Sequence, residues 1–301
     1  MRQLALLFLS VLALAGCGLV RAEADAAVDA GPLTASLVDL NGGLSLPGVD
    51  VRISPDVVAT SEKFYLRKDK ASPPNCYYGV FASDPRFLPG GDGGAQPNNG
   101  LLLVSLGDMN AINANGGPSR TSCPGPASFQ SGGGVPDVIA AGDALLVEGE
   151  LTPYCDHFDT RAGQCGTPVF PEFTVKDVQD LTHATDGGQQ SVLATTVAPM
   201  IVQPADIEDG AASAASYAGM LLEVDEVVVT NAHPDIYSAV IVSPQHPAAG
   251  SAPVELWVDS FDSRAAVVQV VGTKYSKIRG VLHYGYGHWR LVPRLQSDLI
   301  Q

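Results

Sequence analysis

Gly272-Thr273-Lys274-Tyr275-Ser276-Lys277-Ile278-Arg279-Gly280-Val281-Leu282-His283-Tyr284-Gly285-Tyr286-Gly287-His288-Trp289-Arg290-Leu291-Val292-Pro293-Arg294 reads as two β-strands joined by a tight turn. Side chains alternate across a strand, so Ile278, Gly280, Leu282 and Tyr284 share one face, and Lys277, Arg279, Val281 and His283 the other. The first is a core face and the second a mostly solvated one. Tyr284-Gly285-Tyr286-Gly287 forms the turn, where glycine supplies positive φ and the rings cap the barrel end. A glycine inside a strand marks a sharp bend, as a small barrel needs in order to close.

Working outward, the same pattern of short, β-branched runs broken by turn residues fills the chain. Residues 49–60, 63–68, 76–83, 101–106, 144–152 and 172–178 read as strands, followed after a polar joint at 182–190 by 220–230, 236–243, 253–259, 275–284 and 288–293. Residues 89–94 and 113–134 are loops by composition. Two β domains are expected, at 33–182 and 191–301. Their closing halves look alike: Gly142 and Gly272 each open a strand, Gly149 and Gly280 lie seven and eight residues on, and each final strand ends near Asp-Leu. Five strands with a break between the third and fourth match the Greek-key barrel of the OB-fold. The expected class is therefore all-β, with two tandem OB-like five-stranded barrels. Two β-sandwich modules are the alternative.

Arg264, Lys274, Lys277, Arg279, Arg290 and Arg294 fall within 31 residues that contain no Asp or Glu, interleaved with Tyr275, Tyr284, Tyr286 and Trp289. The quoted stretch resembles the closing strands of OB-like modules in exported bacterial nucleases. That resemblance implies an OB-like fold in an exported protein, and no nuclease activity, because the chain has no room for the separate catalytic domain of such proteins. Lys274, Lys277, Arg279, Tyr284, Tyr286, Trp289, Arg290 and Arg294 are the candidate ligand-binding residues. They could stack and neutralise single-stranded nucleic acid, or they could be the ordinary side chains of a half-buried hairpin.

The chain opens with Met1-Arg2 and an apolar run that ends in Leu14-Ala15-Gly16-Cys17. Residues 1–16 read as a signal peptide, with a core too short to span a bilayer of ~30 Å. Leu14-Ala15-Gly16-Cys17 resembles the lipobox of bacterial lipoproteins, which implies lipid, palmitate included, on Cys17. Residues 17–32 form an Ala-rich tether, and Gly18 in place of Asp favours the outer membrane over the inner. The body then sits in the cell envelope, anchored by two or more acyl chains.

Cys76, Cys123, Cys155 and Cys165 remain, an even set that reads as two disulfides in an exported protein. Three connectivities are open, and loop order favours Cys76 with Cys123 and Cys155 with Cys165. A zinc site near Asp156, His157 and Asp159 competes with the second pairing, without the Cys-x-x-Cys spacing that zinc favours. The formal net charge of −15, from 32 acidic and 17 basic residues, disfavours unspecific binding to nucleic acid or anionic lipid.

No nucleophile elbow, zinc-protease helix, phosphate loop or nucleotide fingerprint is present. The six histidines read as loop or surface residues. Glu148 with Glu150, and the run Glu223-Val224-Asp225-Glu226, read as solvent faces. No catalytic residue, metal or cofactor is assigned. The expectation is a non-enzymatic envelope lipoprotein that binds a protein or glycan partner. Extracellular single-stranded nucleic acid is the alternative ligand, and an unrecognised hydrolase a third reading.

Overall fold

Two rings of five strands close in the same order. The computed structural model describes residues 31–41, 48–68, 75–107, 123, 134–154, 158–159, 164–165, 170–183, 196–235, 239–247, 250, 252–259 and 265–301. Cys17 and its tether, Cys155, Asp156, His157, Arg264 and most of the 113–134 loop lie outside them.

The first ring uses β2 (Val51–Ile53) and β3 (Val57–Ala59) as one interrupted strand, then β5 (Cys76–Ser83), β6 (Leu101–Leu106), β7 (Ala144–Tyr154) and β10 (Phe170–Asp180). Sequence alternation reads residues 49–60 as one strand, but it divides at Ser54-Pro55, where proline has no N–H for the ladder. The pairing runs β3-β5-β6-β10-β7 and returns to β3. Only its third and fifth strands, β6 and β10, run parallel. β1 (Leu33–Ala35) and β4 (Phe64–Lys68) flank the ring, and β8 (Phe158–Asp159) pairs with β9 (Gln164–Cys165) as a separate hairpin.

The second ring repeats this with β12 (Leu221–Asn231), β13 (Val240–Pro244), β14 (Leu256–Val258), β15 (Lys274–Gly285) and β16 (His288–Val292), flanked by β11 (Met200–Ile201) and β17 (Leu299–Ile300). Its order is β12-β13-β14-β16-β15 and back to β12, again with the third and fifth strands parallel. This is the strand order of the OB-fold, so the chain is all-β with two closed OB-type barrels.

Gly149 and Gly280 hold corresponding places in the two fourth strands. A Cβ on Gly149 would lie 2.2 Å from the Thr174 carbonyl oxygen, and one on Gly280 2.7 Å from that of Val292. Both contacts are with the fifth strand, where closure presses the two backbones together.

Both rings belong to one compact unit, Pro32–Gln301. Alternation along β6 shows how they join. Leu101 and Leu103 point into the first barrel with Val80, Leu145 and Phe173. Leu102 and Val104 point the other way, and with Phe64, Phe81 and Phe170 they belong to one buried cluster with Val281 and the core of the second barrel. The unbroken apolar run Leu101-Leu102-Leu103-Val104 is thus a strand buried on both faces.

The same joint corrects the reading of β15. Val281 and His283, expected to be solvated with Lys277 and Arg279, are buried at 0% and 6% exposure. The first barrel covers them: Phe170 and Phe81 pack on the His283 ring at centroid distances of 4.7 and 6.4 Å. Cys76 and Cys123 form a disulfide with Cα atoms 5.7 Å apart. Among the described residues no helix is long and apolar enough to cross a membrane.

Candidate functional site

The turn between β15 and β16 builds the outer end of the second barrel. Tyr284 stands opposite Trp289 and Gly285 opposite His288, leaving Tyr286-Gly287 as a two-residue loop. Its positive φ angles fall on Tyr286 (54°) and Gly287 (82°), the pattern of a type I′ hairpin, whereas Gly285 has none. Tyr286 is therefore held outward and is 59% exposed. The parallel pairing of β14 with β16 brings Trp257 beside Arg290. This juxtaposition joins residues 33 apart and has no local sequence signal.

Arg290 organises this end of the barrel. It is 3% exposed. Its guanidinium donates to Asp259 Oδ2 at 2.8 Å, to Asp235 Oδ2 at 2.9 Å and to the Gly285 carbonyl at 3.0 Å. The guanidinium carbon also lies 5.0 Å from the ring centres of both Trp257 and Tyr286. One buried cation thus ties together the β12–β13 loop, the end of β14 and the β15–β16 turn. Beside it, His288 stacks on Trp257 with centroids 3.9 Å apart and planes 17° apart. Asp209 meets His288 Nδ1 at 2.5 Å and accepts from the Trp289 N–H at 2.7 Å. Asp235 and Asp259 face the single guanidinium and Asp209 faces His288, so three carboxylates gather at this end of the barrel and the site is acidic.

Lys277, Arg279 and Arg294 are also engaged. Glu223, 3% exposed, stands opposite Arg279 in the β12–β15 ladder, and Asp225 opposite Lys277. Arg279 Nε donates to Glu223 Oε2 at 2.6 Å, and the Lys277 ammonium donates to Glu223 Oε1. Asp225 lies 3.4 Å from the same ammonium. Burial alone would raise the Glu223 pKa, but hydrogen bonds from Lys277 and Arg279 outweigh it and hold the carboxyl below its usual range. Glu223 is therefore no solvent-face acid. Arg294 forks onto Asp298 through Nε and Nη2, both at 3.0 Å, and donates from Nη1 to the Thr60 carbonyl at 2.7 Å across the joint.

The eight candidates therefore do not form one groove. Tyr284, Tyr286, Trp289 and Arg290 gather at the turn, with Trp289 buried against Tyr284 at 5.2 Å. Lys277 and Arg279 lie on the β12–β15 ladder, and Arg294 lies at the joint. Lys274 is exposed, with no ion-pair partner among the described residues. The basic stretch reads as unopposed because the carboxylates that meet Lys277, Arg279 and Arg290 come from other strands and loops. Sequence reasoning missed Trp257, Asp209, Asp235, Asp259 and Glu223, whose roles depend on strand pairing.

His283 departs from the surface-histidine expectation. Burial first, then the nearby charges of Arg67 and Arg290, push its pKa down to about 3. Arg67 itself forks onto Glu172 at 2.7 and 2.9 Å. Elsewhere, ligand atoms of Asp143, Asp180 and His183 converge within 4.8 Å. These groups brace a turn: Asp143 accepts from the Ala140 N–H, and Asp180 from those of Thr182 and His183.

No protein-family model matches the sequence, and no curated protein does. Among solved structures, the chain is similar to a deletion variant of the single-stranded DNA binding protein from Thermus aquaticus, at 9% identity and a TM-score of 0.21. The match covers 79% of this chain and 89% of that one. A likeness of that size adds nothing to the strand order, on which the OB assignment rests.

Proposed function

We propose that this chain is a lipid-anchored protein of the bacterial cell envelope, with no enzymatic activity, in which the β15–β16 end of the second barrel binds an uncharged partner, a glycan before a protein surface. The observation that carries this reading is the acidic, aromatic character of the site. Tyr286 is 59% exposed with Arg290 against its ring, and the Trp257–His288 stack lies beside it. Such faces pack on the apolar sides of sugar rings, and Asp209 and Asp235 provide acceptors for hydroxyl groups. A phosphate backbone would meet three carboxylates and one arginine whose charge is already engaged. Export and anchoring rest on the resemblance of Leu14-Ala15-Gly16-Cys17 to a lipobox.

The test is a pair of titrations on the purified full chain, one with neutral cell-wall oligosaccharides and one with single-stranded DNA across a salt series. The expected result is oligosaccharide binding that Tyr286→Ala weakens about tenfold, the loss of one aromatic platform, and no retention of DNA at low salt. Tight DNA binding that falls steeply with salt would overturn the reading and favour the nucleic-acid alternative.

A further inference from the structure

A second concave site lies where the barrels meet, away from the β15–β16 turn. Phe64 and Phe81 of the first barrel and Val281 and Val292 of the second line an open cleft. Mostly apolar sites with few polar groups favour such junctions.

The polar groups on its wall restrict the occupant. Arg294 lines the cleft. A guanidinium has five N–H donors. Those of Arg294 reach Asp298 twice and the Thr60 carbonyl once. Two donors thus have no acceptor among the described residues, while the positive charge is matched by Asp298 at 3.0 Å. An anion would meet an arginine whose charge is already matched, and a cation would meet a guanidinium.

We propose that the cleft between the barrels binds a neutral, largely apolar small molecule, its hydrocarbon body on Phe64, Phe81, Val281 and Val292 and a carbonyl oxygen accepting from Arg294. This site is independent of the one at the β15–β16 turn.

Three naphthalenes test it on the purified full chain by calorimetric titration: 2-acetylnaphthalene, 2-ethylnaphthalene and 2-naphthoate. The acetyl compound should saturate one site, with the ethyl compound about tenfold weaker for want of one buried hydrogen bond and the naphthoate weaker than the acetyl compound. Ala141→Trp and Leu295→Trp place bulk at two exposed positions on the cleft wall. Each should weaken acetylnaphthalene about tenfold or more with an unchanged near-ultraviolet circular dichroism spectrum, and Tyr286→Ala should leave its affinity intact. No saturable binding, equal affinity in both tryptophan variants, or acetyl and ethyl compounds binding alike would each overturn the proposal. If one tryptophan variant misfolds, the other decides.

Discussion

Arg279 on β15 and Glu223 on β12 stand opposite each other in the ladder and meet at 2.6 Å, while Lys277 reaches the other oxygen of the same carboxylate. That single buried acid engages two of the three cations on β15, and Asp225 meets Lys277 as well.

Replacing it exposes the difference. Glu223→Gln should lower unfolding stability by about 1–2 kcal/mol, because the ion pair is partly open to water and therefore screened. Its carboxyl is held below the usual range in the folded state, so the wild-type advantage is present above the unfolded value and is lost as pH falls through the folded one. Urea titrations of both proteins at pH 7 and pH 3 measure this. The variant also leaves Arg279 without its carboxylate and Lys277 with Asp225 alone, so weak binding to single-stranded DNA should appear in low salt. Its absence would count against charge cancellation as the reason for the low nucleic-acid affinity expected of the wild type.

His283 is neutral between the barrels, with its pKa pushed down to about 3 by burial, Arg67 and Arg290. The unfolded chain takes up a proton near pH 6.5 and the folded chain does not, so stability is complete above that value and falls as pH drops towards 3. By pH 4 the loss should approach about 3 kcal/mol. His283→Phe should flatten that part of the profile, since a ring of similar shape beside Phe81 and Phe170 has nothing to titrate. An identical slope in wild type and variant between pH 6.5 and 4 would show that other groups set the acid sensitivity.

Arg290 joins two carboxylates and two aromatic rings in a site almost closed to water. Arg290→Met keeps the stem and removes the charge, leaving Asp235 and Asp259 close together without their cation. The expected loss is about 3–5 kcal/mol, read by urea unfolding, with a shift in tryptophan emission as Trp257 loses its partner. Restoring neutrality with Asp235→Asn and Asp259→Asn in the same chain should recover part of the stability. Failure of that rescue would mean that the arginine acts through packing alone.

Local pattern carried much of this architecture. Alternation and turn residues mark the strands of both rings, and the mid-strand Gly149 and Gly280 mark where each barrel is pressed shut, because a missing Cβ is a property of one residue. The paired Cys76 and Cys123 were also favoured in the sequence by their order. What it could not supply was the other side of each contact. Trp257 gained a role only when a parallel pairing set it beside Arg290, and Lys277 and Arg279 lost their apparent freedom when Glu223 came across the ladder.

The sequence by itself determined an all-β chain of two similar halves, because strand period and turn chemistry are local and repeat in both, while strand pairing decided closed barrels over sandwiches. Only the tertiary structure decided that one face of β15 lies under the first barrel, that Lys277, Arg279 and Arg290 meet distant carboxylates, and that a cleft opens at the joint. Those outcomes depend on which surfaces meet across tens or hundreds of residues, and no periodicity within a single strand encodes its neighbour.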